Sequence, residues 1–389
     1  MRDFVSRGTA ALQPSGIRKF FDIVSEMEGA ISLGVGEPDF STPWDVCEAG
    51  IRSLQKGFTH YTSNKGLPKL RQSISDYLAK RFDVNYDKEE IIITVGASEG
   101  IDIVLRAICD AGDEILVPLP SYVSYSPCVY LAGGVPVGVQ CKEDNGFIVT
   151  PESIEAAITP KTKAIILPYP NNPTGGIMTR EQLEAIVPVI VKHDLLVISD
   201  EIYAELTYGG KHVSICALDD MRDRCVLISG FSKAFAMTGW RIGYVCAPAS
   251  LTDQIIKIHQ YVIMCAPTPA QYAALAAIDN GMSNDFNTVE EMRAEYDIRR
   301  RYMVKAFNEM GLHCFEPKGA FYLFPNVSST GMDGESFAGA LLEKEKVAVV
   351  PGTAFGEGGR NHIRVSYAYS LAELETAVER IRRFIGRSR

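Results

Sequence analysis

One lysine, Lys233, lies in an apolar stretch that could carry an amine into the protein interior. Its neighbours include Phe231, Ala234 and Phe235. Burial lowers the pKa of an ammonium group, and a partly neutral amine can attack a carbonyl and form an imine. Arg241 has no acidic neighbour in sequence and could hold a phosphate. A bound aldehyde and a bound phosphate together describe pyridoxal 5′-phosphate (PLP), whereas a solvated surface lysine is the alternative.

Three further polar residues follow strand-like segments. Asp200 comes directly after residues 195–199, and Tyr203 lies close behind it. A carboxylate at the end of a buried strand is costly without a cation or several donors, and a protonated pyridine nitrogen would supply the cation. A helix N-cap is the alternative for Asp200. Asn172 lies in the proline- and glycine-rich loop 168–176, which is stiff enough to direct an amide at a ligand or to form an Asx-type turn.

Two more segments could bind anions. Small residues at 96–100 follow the strand-like run 91–95 and precede a helical pattern. Backbone N–H groups at such a helix start can approach a phosphate, although tight packing alone is the alternative. Arg364 lies inside the strand-like segment 362–366. Its guanidinium matches a carboxylate bidentately, and an internal salt bridge is the other interpretation.

The elements that must position these residues alternate between strands and helices. Apolar runs occur at 91–95, 114–117, 135–139, 164–167, 195–199, 226–228 and 242–247. Helical patterns lie between them, for example at 99–108 and 180–193. Continuous β-branched runs indicate strands buried on both faces of a mainly parallel sheet. The pattern therefore predicts a doubly wound α/β unit, which binds ligands beyond the carboxyl ends of its strands.

The C-terminal part has a different character. Residues 289–310 predict one long amphipathic helix, and short strands are expected near 319–324, 348–350 and 363–366. A closing helix is predicted over 371–385, with Ser370 and Glu373 at capping-box spacing. The apolar face of this helix is formed by Leu371, Leu374, Val378, Ile381 and Ile385. We interpret this part as a smaller α+β domain.

Composition excludes several classes of function. The chain has 389 residues and a net charge of −9, which argues against general nucleic-acid binding. No apolar run approaches the ~20 residues that a membrane span needs, and the N-terminus has no signal-peptide pattern. The nine cysteines include no C-x-x-C pair, so free thiols in a reducing cytoplasmic compartment are expected. No metal-ligating motif is predicted.

Taken together and in this order, the motifs resemble the class I aminotransferases of PLP fold type I. The resemblance runs from residues 15–18 and 33–40, through 171–175, 199–203 and 232–243, to 363–367. It is most like the bacterial and archaeal branch with aromatic, aspartate and N-acetyl-diaminopimelate aminotransferases. It implies a mainly parallel seven-stranded sheet between helices in a large PLP-binding domain (44–283). An N-terminal arm (1–43) and a C-terminal part (284–389) would form the small domain.

The resemblance also implies roles for the residues at its motifs. Lys233 would hold the PLP aldehyde and then move a proton between the substrate Cα and the cofactor C4′, and Asp200 would pair with the pyridine nitrogen. Asn172 and Tyr203 would contact the cofactor 3′-oxygen. The remaining assignments are a ring contact for Tyr122 and phosphate contacts for Ala97, Ser98, Ser232 and Arg241. Arg364 and the Gly36 backbone would contact the substrate carboxylate, and Asn172 would also contact the substrate.

Two positions carry further implications. Tyr61 matches a family tyrosine that reaches the phosphate bound by the neighbouring subunit, which implies a homodimer. Gly230 departs from the family, where a serine often stands three residues before the lysine, so Ser232 or Ser229 is expected to substitute.

The resemblance implies transfer of an amino group from an aromatic, aspartate or alanine-type L-amino acid to 2-oxoglutarate by a ping-pong route. The segment 260–269 lacks an arginine for a distal carboxylate. Tyr261, Met264 and Ile17 could instead accept apolar side chains, and Arg18 could hold glutamate. The alternative with the same cofactor is a C–S β-lyase. A transcription regulator is disfavoured because the fold begins too early for an added DNA-binding domain. A Rossmann dehydrogenase is disfavoured because no G-x-G-x-x-G follows the first strand.

Overall fold

A computed structural model of the chain describes residues 4–14 and 27–388. Ile17, Arg18 and the motif at 15–18 lie outside the described residues. The helices, numbered in chain order, are α1 (Arg7–Ala11), α2 (Trp44–Gln55), α3 (Pro68–Phe82), α4 (Gly96–Ile108), α5 (Tyr125–Leu131), α6 (Pro151–Glu155), α7 (Arg180–Lys192), α8 (Ala249–Val262), α9 (Thr268–Asn284), α10 (Asn287–Glu309), α11 (Gly334–Glu345) and α12 (Leu371–Ser388). The strands are β1 (Ile31–Ser32), β2 (Ile91–Thr94), β3 (Glu114–Leu119), β4 (Val135–Gln140), β5 (Thr162–Leu167), β6 (Leu196–Asp200), β7 (Cys225–Gly230), β8 (Gly243–Cys246), β9 (Tyr322–Leu323), β10 (Val347–Ala348), β11 (Val350–Pro351) and β12 (Ile363–Ser366).

Seven strands form the central sheet in the order β2-β8-β7-β6-β5-β3-β4. All neighbouring pairs are parallel except those of β8, which runs antiparallel to β2 and β7. The strand order reverses between β3 and β5, because β6 and β7 follow β5 on one side and β4 follows β3 on the other. In a doubly wound sheet, this reversal opens a crevice at the carboxyl ends of the strands. The predicted mainly parallel α/β sheet is confirmed.

Both faces of the central strands are buried, as their continuous apolar sequences predict. Ile166 and Ile198 belong to an apolar core that includes residues of α4, α5 and α8. Ile165 and Val197, one position earlier in each strand, belong to a second core that includes residues of α3, α7 and α9. Successive strand side chains point to opposite faces, so one sheet is covered by two helical layers.

The C-terminal part forms a third apolar core around a three-stranded antiparallel sheet, ordered β11-β12-β9. β1 pairs in parallel with β10, so the segment just before residue 33 packs with the C-terminal part. The division of the chain at residues 43/44 and 283/284 stays a prediction. The C-terminal part does contain the strands and helices expected of a small α+β domain.

The closing helix follows its sequence prediction with one exception. The backbone N–H of Ser370 donates to Glu373 at 3.1 Å, and the Glu373 N–H donates to the Ser370 hydroxyl at 3.4 Å, so the capping box forms. Leu374, Val378, Ile381 and Ile385 are buried. Leu371 is 38% exposed, which corrects its placement on the buried face. Leu371 is the first residue of α12, where the helix begins at the edge of the apolar core.

The expectation of free thiols throughout the chain was wrong at one pair. Cys216 and Cys225 form a disulfide with their Cα atoms 5.6 Å apart. The other seven cysteines are free. The two cysteines are nine positions apart, and no sequence motif indicates that they would pair. The fold brings them together by placing the short turn at 215–217 beside the start of β7.

No helix in ranges 4–14 and 27–388 is long and apolar enough to cross a membrane.

Candidate active site

A cavity of about 800 Å³ lies beyond the carboxyl ends of β3, β5 and β6, at the strand-order reversal. Every residue assigned from the sequence to the cofactor or to the substrate α-carboxylate lines it except Tyr61. The lining residues predicted in this way are Gly36, Ala97, Ser98, Tyr122, Asn172, Asp200, Tyr203, Ser232, Lys233, Arg241 and Arg364. Residues that are widely separated in sequence therefore share one cavity. Their individual roles remain predictions.

Lys233 lies just after β7 in a turn whose apolar side chains pack inward. Phe231 is 1% exposed, and Ala234 and Phe235 are also buried. The Lys233 Nζ donates to the backbone carbonyl oxygen of Gly36 at 2.7 Å. Burial lowers the pKa of the Lys233 ammonium to about 8. The amine is therefore neutral for part of the time near neutral pH, as nucleophilic attack or proton abstraction requires.

Asp200 ends β6 with a buried carboxyl group. Its Oδ2 accepts a hydrogen bond of 2.7 Å from the Tyr125 hydroxyl, and its Oδ1 accepts one of 3.2 Å from the Ile202 N–H. Burial raises the pKa of Asp200 to about 6, although both donors oppose the rise. No helix of the described chain begins at Asp200. The helix N-cap alternative is therefore wrong, because Asp200 accepts a backbone hydrogen bond only within the turn to Ile202. Its carboxyl group faces the cavity.

The start of α4 and Arg241 form a cradle with little room for extra atoms. A Cβ added to Gly96 would lie 2.8 Å from Arg241 Nη2, and one added to Gly243 would lie 2.6 Å from the Ala97 backbone nitrogen. Arg241 Nη1 donates to the Thr238 carbonyl at 2.9 Å, and no carboxylate of the described residues pairs with the guanidinium. A helix N-terminus beside an unpaired guanidinium favours an anion such as a phosphate.

Ser229 and Ser232 were the two candidates to substitute for the family serine that is Gly230 in this chain, and the structure distinguishes them. A Cβ on Gly230 would lie 2.9 Å from the Gly243 Cα, so a larger residue would not fit there without a shift of the backbone. Ser229 is buried and donates to the Glu201 carbonyl at 3.2 Å. Ser232 lines the cavity instead. Of the two, Ser232 is therefore the one placed to contact a ligand.

Arg364 is a buried cation with no carboxylate partner among the described residues. Its Nη1 donates to Asn172 Oδ1 at 2.9 Å, and its Nη2 donates to the Gly34 carbonyl at 2.6 Å. The guanidinium carbon lies 4.5 Å from the Tyr322 ring centroid, and burial lowers the pKa of the group. The Nε atom has no acceptor in the described chain. The internal salt bridge considered from sequence is therefore wrong, and the site suits a small carboxylate.

This cavity combines a lysine of lowered pKa, a buried carboxyl group and two guanidinium groups without carboxylate partners. A comparison with protein families decides its class, because residues 28–381 match the family model for aminotransferases of class I and II. The chain belongs to this aminotransferase family. The structure confirms the fold type I expectation through its sheet and through its solved relatives.

Three similar aminotransferases show how broad the likeness is. A putative aminotransferase, YugH, from Bacillus subtilis is 52% identical, and the match covers 99% of each chain. An aspartate aminotransferase from Pyrococcus abyssi is 45% identical over 96% of each chain. The crystal structure of an aromatic aminotransferase from Pyrococcus horikoshii has a TM-score of 0.90 and 42% identity, covering 95% of this chain and 99% of the other. The two relatives whose names give a substrate differ in it, one being named for aspartate and the other for aromatic substrates.

Two tyrosines of the aminotransferase cavity escaped the sequence analysis. Tyr322 lines the cavity, and its hydroxyl lies 2.8 Å from that of Tyr203. Tyr125 contacts Asp200 and also lines the cavity. Tyr322 lies within the short strand predicted near 319–324, and the sequence analysis assigned it no role. Tyr125 stands three residues after Tyr122, and this spacing at the start of a helix was the one available signal.

Tyr61 lies outside the cavity of its own chain and is 79% exposed. The Asn64 side-chain amide donates to the Met264 carbonyl at 2.8 Å, which joins the segment of Tyr61 to the end of α8. Tyr261 is 86% exposed and Met264 is 42% exposed on this same part of the surface. Neither lines the cavity of its own chain, so their predicted place near the substrate side chain stays a prediction.

Within ranges 4–14 and 27–388, no group of three or more His, Cys, Asp or Glu side chains is arranged to hold a metal ion.

Proposed function

We propose that the protein is a PLP-dependent aminotransferase that moves the amino group of an L-amino acid to 2-oxoglutarate in two half-reactions. The observation that carries this proposal is the position of Lys233, whose lowered-pKa amine shares one cavity with Asp200, Arg241 and Arg364. In that order, these four residues match the aldehyde, the pyridine nitrogen and the phosphate of PLP and the carboxylate of the substrate. Membership of the family supports the same assignment.

The residues present fit PLP in charge and in shape. The cradle of Gly96, Ala97 and Arg241 suits its phosphate, because added carbon atoms on the glycines would collide with the cradle walls. The buried Asp200 carboxyl lacks a cation among its hydrogen-bond partners, and a pyridinium nitrogen would supply one. Asn172 and Tyr203 would contact the 3′-oxygen, and Tyr122 the ring face. When bound, PLP supplies an electron sink for loss of the substrate α-proton.

The chain's own residues would then bind the substrate and move its proton. Arg364, held by Asn172 and Gly34, binds the α-carboxylate through a fork that is already oriented. The Gly36 carbonyl accepts a hydrogen bond from Lys233, and the Gly36 backbone would cover the other side of the substrate carboxylate. The Lys233 amine would accept the α-proton of the substrate and would return it at the cofactor C4′. A base with a pKa of about 8 is suited to both transfers near neutral pH.

The substrate side chain is the least constrained part of the proposal. Arg241 and Arg364 are the two arginines among the described lining residues, and both already have proposed anions. A dedicated cation for a second substrate carboxylate is therefore not evident in the described part of the chain. The absence of such a cation favours aromatic or alanine-type donors bound by apolar contacts. Relatives named for aspartate and aromatic substrates support keeping aspartate in the proposed range.

The proposed enzyme acts as a homodimer in which Tyr61 completes the partner's phosphate site. The support is the exposure of Tyr61, Tyr261 and Val262 on one surface, which is typical of an interaction site. We expect sedimentation to give twice the mass of one chain. We also expect Tyr61→Phe to weaken PLP binding about tenfold, whereas Tyr130→Phe should not. A monomer with unchanged PLP affinity in Tyr61→Phe would contradict this part of the proposal.

The proposal is tested by titrating the PLP-loaded protein with single amino acids while its visible absorption is recorded. We expect the yellow band to bleach with donor amino acids and to return on addition of 2-oxoglutarate. Tyrosine, phenylalanine, aspartate, alanine and glutamate would rank the donors. Release of pyruvate and ammonia from cysteine conjugates, without a 2-oxo acid acceptor, would instead support a C–S β-lyase. Failure to form any band with added PLP would contradict the proposed cofactor.

A further inference from the structure

Besides the cofactor nitrogen proposed above, the Asp200 carboxylate has a partner that the proposed mechanism does not use, the side chain of Tyr125. Its Oδ2 accepts the hydroxyl hydrogen bond of Tyr125 at 2.7 Å. Tyr125 is 3% exposed and Asp200 is 5% exposed, so bulk water does not compete for this contact. A hydrogen bond from a neutral donor to a buried carboxylate favours the ionised form of the carboxylate.

Tyr125 is held in place by the segment that carries the predicted ring-contact residue. It is the first residue of α5, and its backbone N–H donates to the Tyr122 carbonyl at 3.2 Å. The two aromatic rings meet edge to face with centroids 5.6 Å apart. One turn of the chain thus presents Tyr122 to the cavity and the Tyr125 phenol to Asp200.

The direction of the hydrogen bond follows from the chemistry of the two groups. Burial and the nearby Asp200 raise the pKa of Tyr125 well above its usual range, so the phenol keeps its proton and acts as the donor. Burial alone would favour the protonated, neutral form of Asp200. Tyr125 opposes this effect. Two charged groups also act on Asp200: Glu201 disfavours its ionisation, and Lys233 favours it.

We propose that Tyr125 is a positioning residue that keeps Asp200 ionised and oriented for a protonated ring nitrogen of the cofactor. The inference rests on the proposed role of Asp200. In the loaded enzyme, Asp200 and the ring nitrogen compete for one proton. Loss of the Tyr125 hydroxyl raises the proton affinity of Asp200, and the proton therefore moves away from the ring nitrogen. A ring without that proton is a weaker electron sink.

The test is Tyr125→Phe, which removes the hydroxyl and retains the ring. The enzyme is loaded with PLP carrying ¹⁵N in the ring, and the ¹⁵N chemical shift reports whether that nitrogen is protonated. We expect the shift of Tyr125→Phe to move towards the neutral value and the dissociation constant of PLP to rise about tenfold. Asp200→Asn should give the full neutral shift. Tyr130→Phe in the same helix, 40% exposed, is the matched control and should match the wild-type protein.

The combined variant separates a positioning role from general packing. In the Asp200→Asn background, Tyr125→Phe should change neither the ¹⁵N shift nor the PLP affinity further. Near-ultraviolet circular dichroism of each cofactor-free variant checks that it has folded. A wild-type ¹⁵N shift in Tyr125→Phe, with a neutral shift in Asp200→Asn, would overturn the inference and leave the proposed function intact. An unchanged shift in Asp200→Asn would overturn the role of Asp200 itself, and the inference with it.

Discussion

Lys233→Met abolishes amino transfer, lowering kcat/KM by at least about 10⁴-fold, because the variant lacks both the proposed covalent attachment and the proposed base. Lys233 is the one lysine that lines the cavity in the described part of the chain. Methionine has a similar volume and no amine, so the packing around Phe231 and Phe235 is retained. Initial rates with the best donor and 2-oxoglutarate provide the measurement.

The same variant has a predictable effect on stability. Burial lowers the folded-state pKa of Lys233 to about 8, so the charged ammonium destabilises the cofactor-free fold by about 3 kcal/mol below that pH. The unfolded chain binds the lysine proton more tightly, and stability therefore rises with pH between about 8 and the usual lysine value of about 10.4. Lys233→Met should unfold at a higher temperature than the wild-type protein at pH 7, and the difference should shrink towards pH 10.

Lys211→Ala is the matched control, since Lys211 is exposed and lies outside the cavity. It should retain wild-type rates and stability. A kcat/KM of Lys233→Met above about 0.01 per cent of the wild-type value would contradict the proposed role of the lysine.

Arg364→Lys raises the KM for amino-acid donors by about 10²–10³-fold with a smaller change in kcat. The wild-type guanidinium is oriented by Asn172 and Gly34 and presents a fork that a lysine cannot reproduce. Loss of a buried, hydrogen-bonded charge contact costs about 2–5 kcal/mol, which corresponds to this change in affinity. Steady-state kinetics over a range of donor concentrations separate KM from kcat.

Two comparisons make the Arg364 result specific. Arg360→Lys is the matched control, because the Arg360 side chain is 76% exposed near the same strand. An amine that lacks the α-carboxylate should react equally slowly with the wild-type enzyme and with Arg364→Lys. Equal losses for this amine and for amino acids would show that Arg364 does not bind the carboxylate.

The central sheet could be predicted well because strands that are buried on both faces appear in the sequence as short apolar runs. The runs 164–167 in β5 and 195–198 at β6 are continuously apolar, and each is followed by polar residues towards its carboxyl end. Asn172 and Asp200 could therefore be assigned to one edge of one sheet. The burial of Lys233 was also readable from Phe231, Ala234 and Phe235, which pack inward as expected.

What the sequence could not supply were contacts between distant segments. The two interpretations of Arg364 depended on whether a carboxylate faces it, and only the packing of β12 against the loops at residues 34 and 172 answers this. The contact between Tyr125 and Asp200 joins residues 75 positions apart. The Cys216–Cys225 disulfide and the exposure of Leu371 depend likewise on tertiary placement.

The most direct test of the account follows the amino nitrogen itself. The PLP-loaded protein is incubated with an ¹⁵N-labelled donor, such as tyrosine or aspartate, and unlabelled 2-oxoglutarate, and the products are identified by mass spectrometry. The account predicts ¹⁵N-glutamate and the 2-oxo acid of the donor in equal amounts, with no free ¹⁵N-ammonia and no product from Lys233→Met. Labelled ammonia without labelled glutamate, or equal product from Lys233→Met, would contradict it.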